Sequence, residues 1–321
     1  MEPKVSIVTP LYNSSVYIQG TLGSVLAQTF ENWELVLVND GSQDDTGEKV
    51  KPYLVDPRIK YLSQQNQGIA GARNTGVAAA RGEWLCLLDH DDHWLPNKLE
   101  KQLQFAEQHD LEVVATDAFL VKGSERSLYS ATFRKETVVA LAQSLSQKNV
   151  EVFELLIDGN FLCSSSVAIK RELIERLGPF DPKAEPADDY EMWLRCSTHA
   201  RMGYLDEPLI EYHIHESNYS RNKLFMLEKE IYALSKSRPS ATSPRHVELL
   251  ENRIANLRRG AARMSLDIYH ELGGQSFSKA IPFLWRAFRF APAEVLRPKR
   301  LLAAARRAVW AGPKSGQEVS K

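Results

Sequence analysis

Two short, almost uninterrupted apolar runs, Trp33–Val38 and Trp84–Leu88, limit the fold most, because each stops abruptly at a polar turn. A strand with one wet face alternates apolar and polar residues. A strand that is apolar throughout is covered on both faces, as in parallel sheets. The first run ends in Asn39-Asp40-Gly41-Ser42 and the second in Asp89-His90-Asp91-Asp92. Val5–Thr9 and Ile59–Leu62 read as two further strands. Helical patterns lie between them. Ile18, Leu22, Val25 and Leu26 share a face behind Ser14 or Ser15 as cap, Gly71–Ala80 is alanine-rich and closes at Gly82, and Pro96 opens a helix over Asn97–Gln108. Strand and helix in alternation predict an α/β fold with a mostly parallel sheet and right-handed crossovers. Ligands of such sheets bind beyond the carboxyl ends of the strands, so the two polar turns are expected to share one crevice.

Composition narrows the class. The 321 residues carry a formal net charge of −1, so no overall field points to nucleic acid. The three cysteines, Cys86, Cys163 and Cys196, are far apart and form no CxxC pair, which argues against a zinc site or a disulfide framework and fits a reducing compartment. The opening MEPKVSIVTP lacks a long apolar run behind a basic start, and no segment reaches the roughly 18 uncharged apolar residues of a membrane span. The expectation is a cytoplasmic protein, or one peripheral on the inner face of the membrane.

Further along, Val113–Phe119 and Val167–Lys170 read as strands, Glu172–Leu177 and Tyr190–Cys196 as helices, and Tyr204–His215 as extended. Beyond about residue 220 the pattern turns helical, with a linker by composition at Ser237–Arg245. A boundary near Tyr219–Asn222 would divide a catalytic domain, 1–220, from a helical extension, 221–321. From Ser278 to Lys314 there are nine basic residues and one acid, Glu294, a net charge of +8 interleaved with Phe283, Leu284, Trp285, Phe288, Phe290 and Trp310. Two readings stand beside each other: a basic helix packed on an acidic core, or an interfacial helix for an anionic membrane.

Three carboxylates in the four residues Asp89–Asp92 offer the oxygen ligands that magnesium and manganese prefer. The plainer reading is a solvated turn in which Asp92 caps the next helix. A lone Asp-x-Asp carries little information, but this one follows directly on a buried-strand signal. Asp188 and Asp189 have a similarly plain reading, as acids favoured at the start of the helix Tyr190–Ser197.

Taken together, the segments resemble the family-2 glycosyltransferases. The matching segments are Val5–Asn13 (VSIVTPLYN), Trp33–Ser42 (WELVLVNDGS), Asn66–Gly76 (NQGIAGARNTG), Leu87–Pro96 (LLDHDDHWLP) and Asp188–Arg195 (DDYEMWLR), spanning roughly residues 4 to 220. The resemblance implies the GT-A fold, a Rossmann-like sheet with flanking helices, followed here by a C-terminal helical extension outside the resemblance. It implies a nucleotide-sugar donor, a glycan or lipid-linked glycan acceptor, and Mn2+ or Mg2+ as cofactor. Thr9, Pro10, Tyr12 and Asn13 would line the nucleotide pocket, with Asp40 reading the uracil imide and Arg73 and His90 near the donor. Asp89 would bind ribose or assist the metal, and Asp91 would ligate it directly. Asp189 would be the general base of an inverting transfer, with Asp188 raising its pKa by like-charge repulsion. Asp188 stands where most relatives have glutamate, which leaves two candidates for the base. Tyr212-His213-Ile214-His215 resembles a late tyrosine-arginine-x-histidine motif. His215 then approaches the metal or diphosphate, and His213 replaces the arginine.

Two other classes compete. A sugar nucleotidyltransferase would show a glycine-rich, basic phosphate loop after the first strand, where Pro10-Leu11-Tyr12-Asn13 stands instead. A binding module that has lost activity would not need Asp40, Asp91 and Asp189 together.

Overall fold

The structure is a computed structural model, and it describes residues 2–130, 152–216, 218, 222–273 and 277–296. In chain order the elements are β1 (Val5–Leu11), α1 (Ile18–Leu26), β2 (Trp33–Asn39), α2 (Thr46–Val50), β3 (Ile59–Ser63), α3 (Gly68–Ala79), β4 (Trp84–Leu87), β5 (His93–Trp94), α4 (Lys98–Gln108), β6 (Val113–Lys122) and β7 (Glu125–Leu128). There follow α5 (Val152–Asp158), β8 (Ala168–Lys170), α6 (Arg171–Leu177), α7 (Asp188–Ser197), β9 (Met202–His213), α8 (Lys223–Lys236), α9 (Pro244–Gly273), α10 (Phe277–Phe290) and α11 (Pro292–Val295).

The strands form one sheet in the order β3-β2-β1-β4-β8-β6-β9-β5, with β7 paired to β6. β1 pairs in parallel with β2 and β4, and β2 with β3, as the apolar runs require. The far half is mixed: β8 runs against β4 and β6, β5 runs against β9, and β6 and β9 are parallel.

Both faces of the sheet are covered. Ile7, Leu35, Leu37, Cys86 and Leu88 pack with Ile18, Leu22 and Val25 of α1 and Leu99 of α4. Val8, Leu85, Leu87, Val113 and Ile169 pack on the other face with Phe153, Leu156 and Trp193. Val36 and Val38 pack on Ala72 of α3. A Cβ on Gly76 would lie 2.3 Å from Val8 Cγ1, so only glycine lets α3 approach β1 this closely.

The helical segments join the same core. Leu224, Ile231 and Leu234 of α8 and Leu250, Ile254, Leu257 and Ala261 of α9 belong to the cluster that contains Phe153, Tyr190 and Trp193. The Ser237–Arg245 segment is the bend between α8 and α9, with a 3-10 turn at Arg238–Ser240. No described helix is long and apolar enough to cross a membrane. Of the basic stretch, Lys279, Arg286 and Arg289 are described. Arg297, Lys299, Arg300, Arg306, Arg307, Trp310 and Lys314 lie outside the described residues.

One local expectation is corrected. Neither Ser14 nor Ser15 caps α1, which begins after Tyr17 without a side-chain cap. The Ser14 hydroxyl accepts the Tyr12 N–H instead, shaping the loop after β1.

Candidate active site

The carboxyl ends of β1, β2 and β4 lie side by side, and the polar turns extend from them. The Asp40 N–H donates to the Leu11 carbonyl and the Leu88 N–H to the Val8 carbonyl. Asp40 is almost fully buried. Its carboxylate accepts from Gln64 Nε2 at 2.7 Å, Gln67 N–H at 2.9 Å and Gly68 N–H at 2.9 Å. It thereby satisfies donors at the start of α3, a site where a carboxylate is favoured.

α3 carries Arg73 into the centre of the acids. Arg73 is only 2% exposed. Nη1 donates to Asp188 Oδ2 at 2.8 Å, and Nη2 donates to Asp89 Oδ1 and Ser164 Oγ, each at 3.0 Å. Burial alone would weaken the charge, but Asp188, Asp89 and Asp189 together outweigh it and hold Arg73 firmly protonated. Asn74 fixes the opposite wall: its Nδ2 donates to the Phe180 carbonyl at 2.9 Å and its Oδ1 accepts the Phe180 N–H at 2.8 Å.

Asp188 and Asp189 occupy the first turn of α7 but differ sharply. Asp188 is fully buried and locked by Arg73. Asp189 keeps part of its surface open and, among the described residues, accepts only the Tyr190 N–H, at 2.5 Å. Burial pushes its pKa up to about 7. Arg73 opposes the rise and Asp188 adds to it.

The three carboxylates after β4 also have separate tasks. Asp89 is anchored by Arg73 and by its own N–H, donated to Ser165 Oγ at 3.0 Å. Asp92 turns inward, accepting the Ser165 hydroxyl at 2.6 Å and the His213 N–H at 3.2 Å. It is neither a helix cap nor a cleft-facing ligand, and burial plus Asp91 and Asp89 push its pKa well up. Asp91 meets His215, with Oδ2 and Nε2 2.8 Å apart, and the His215 ring stacks on Tyr17 at 4.3 Å.

The remaining residues sort by exposure. Tyr12 is 46% exposed. Asn13 adopts a left-handed φ of 49°, donating its N–H to Ser42 Oγ and accepting from Gln43 N–H. Thr9 and Pro10 are buried within β1, and Tyr12 and Asn13 follow them on the exposed loop. His90 offers its carbonyl to Thr21 and sets its ring 6.4 Å from that of Tyr17. His213 faces His93 and Glu211.

The sequence carries no signal for the serine triplet Ser164–Ser166. Ser164 holds Arg73, and Ser165 links Asp89 to Asp92. Three small hydroxyls carry no periodic signal, and only their position opposite Asp89–Asp92 reveals the role.

A divalent ion fits this donor set. Asp91 and His215 converge to 2.8 Å while the Asp89 carboxylate turns to Arg73, and a carboxylate with an imidazole suits manganese better than all-oxygen magnesium.

Residues 6–178 match the family described as Glycosyl transferase family 2, and the chain belongs to that family. It is therefore a glycosyltransferase, and its fold is that of the GT-A enzymes. An uncharacterised glycosyltransferase of Rickettsia prowazekii is 29% identical over 229 residues, covering 71% of this chain and 69% of that one. The Escherichia coli UDP-Glc:alpha-D-GlcNAc-diphosphoundecaprenol beta-1,3-glucosyltransferase WfgD is 29% identical over 229 residues, covering 70% of this chain and 83% of its own. Among solved structures, residues 1–349 of S. aureus TarS in complex with UDP superpose with a TM-score of 0.61 at 19% identity, covering 95% of this chain and 87% of that one. The mannosyltransferase PcManGT of Pyrobaculum calidifontis, in complex with GDP-Man and Mn2+, gives 0.61 at 19% identity, covering 98% and 82%.

Proposed function

We propose that the protein moves a sugar from a UDP-sugar to a hydroxyl of a glycan or lipid-linked glycan, with inversion, in bacterial surface-polysaccharide synthesis at the cytoplasmic side of the membrane. The observation that carries this is Asp189. It is the accessible member of an acid pair whose other member is locked by Arg73, and its pKa of about 7 suits a base at neutral pH. The naming of a UDP-Glc donor and a diphosphoundecaprenol acceptor for the E. coli relative supports the donor and acceptor class. The UDP and UDP-GlcNAc complexes of TarS support the same donor base.

In this reading Asp189 takes the proton of the acceptor hydroxyl as that oxygen attacks the anomeric carbon. The bond from that carbon to the diphosphate oxygen breaks, and the electron pair leaves with the nucleoside diphosphate. Arg73 holds Asp188 in a buried ion pair, and Asp188 adds to the rise that leaves Asp189 basic. Tyr12 offers a ring to the base, and Asp40 has lone-pair capacity left for the uracil imide. A divalent ion at Asp91 and His215 would supply positive charge to the departing diphosphate.

The test is nucleotide release. With manganese and a UDP-sugar the protein should release UDP in proportion to acceptor. Release of pyrophosphate would indicate a nucleotidyltransferase, and no release with any nucleotide sugar would indicate a binding module.

A further inference from the structure

β5 and β9 carry a second cluster of ligating groups beside the acidic site. His93 on β5 is the cross-strand partner of Glu211 on β9. Glu211 and His213 are two apart on one strand and so share a face. Each residue offers a ligand atom, and the three atoms lie within 4.8 Å of one another. Glu211 Oε2 stands 3.8 Å from His93 Nδ1 and 3.8 Å from His213 Nε2, and the two rings are 4.4 Å apart.

Three details set this apart from a chance surface grouping. His213 Nε2 is buried and has no hydrogen-bond partner, a costly state for a polar atom unless something is bound there. Glu211 divides its oxygens: Oε1 pairs with Arg126 Nη2 at 3.0 Å, and Oε2 is left toward the imidazoles. Gly20 of α1 makes room for the His93 ring, since a Cβ there would lie 2.4 Å from His93 Nε2. The side chains of His93, Glu211 and His213 are 32%, 27% and 28% exposed, which leaves an entry path for an ion.

We propose that His93, Glu211 and His213 bind a zinc-type transition-metal ion, at a site distinct from Asp91 and His215. Two imidazoles and one carboxylate are donors that zinc favours, with water completing a tetrahedron. Zinc at about 2.0–2.1 Å from each donor needs donors about 3.4 Å apart, so the separations of 3.8 Å close with small rotamer shifts. The ion would clasp β5 to β9, the strands that flank Asp91 and His215.

The test uses the full chain without a histidine tag and ZnCl2 as the probe, with a competing chelator. Manganese is kept in excess to occupy the acidic site. Co2+ replaces zinc for an optical spectrum. The expected result is one zinc per chain that survives the manganese. It is retained by Asp91→Asn and weakened about tenfold or more by His93→Gln or His213→Ala. The Co2+ spectrum should change in those two variants alone. Melting of the metal-free proteins controls for folding. If His213→Ala unfolds, His93→Gln on the edge strand carries the test. Zinc binding that is equal in wild type and His93→Gln, that Asp91→Asn abolishes, or that is absent altogether would overturn the proposal.

Discussion

Arg73 of α3 and Asp188 of α7 meet at 2.8 Å across 115 residues of sequence, both buried. Their contact separates two adjacent acids into one that is held and one that is available. The separation makes the roles of the pair measurable.

Asp188→Asn should act mainly on stability. It leaves Arg73 buried with Asp89 and Ser164 but without its best-placed carboxylate. Breaking such a pair destabilises by about 3 kcal/mol. Urea denaturation should show that loss, whereas Asp189→Asn should melt close to wild type.

The pH profile follows from Asp189. Its pKa rises from 3.8 to about 7, chiefly through burial, so the folded chain binds the proton more tightly than the unfolded one. The stability this group contributes is full below about pH 4 and is lost as pH rises through 7. Activity should run the other way, falling about tenfold per unit below pH 7 and levelling off above it. A turnover profile flat from pH 5 to 8 would contradict the assignment.

Metal removal should silence the enzyme. A chelator should abolish UDP release, and manganese should restore it better than magnesium. Asp91→Asn should lose the manganese response while keeping the fold, because among the described residues Asp91 bonds to His215 and Asn218 and anchors no backbone.

Asp40→Ala should weaken UDP binding by about 1.5–3 kcal/mol, read by calorimetry. It should also lower the melting temperature, because Gln64, Gln67 and Gly68 lose their acceptor. Stability lost with UDP affinity intact would leave Asp40 a purely structural role.

The basic tail is tested on vesicles. Ala280 and Ala287 of α10 are buried, whereas Trp285 is 71% exposed and Arg286 lies 3.7 Å from Glu228. Trp285→Ser should reduce sedimentation with anionic vesicles, and salt should reduce it further. Equal binding by wild type and variant, or none by either, would mean that α10 only packs on the core.

The parallel half of the sheet was legible because Trp33–Val38 and Trp84–Leu88 must be covered on both faces. The role of each acid within a motif was harder to read. Asp91 and Asp92 are neighbours, yet one turns to His215 and the other to Ser165. Local spacing cannot tell them apart, since the partners come from β9 and from the turn before β8. The same holds for His93 and His213, which meet only through the β5–β9 register. The helices after residue 220 read as an extension because their apolar faces give no sign of which surface they cover. They complete the core around Trp193.

The central claim is that Asp189 takes the acceptor proton. It is tested most directly by comparing UDP release by wild type and Asp189→Asn at saturating donor, with UDP affinity measured alongside. General-base catalysis contributes typically about 10²- to 10⁴-fold. Turnover should therefore fall by at least a hundredfold with donor affinity unchanged. Near-normal turnover in Asp189→Asn would contradict the account.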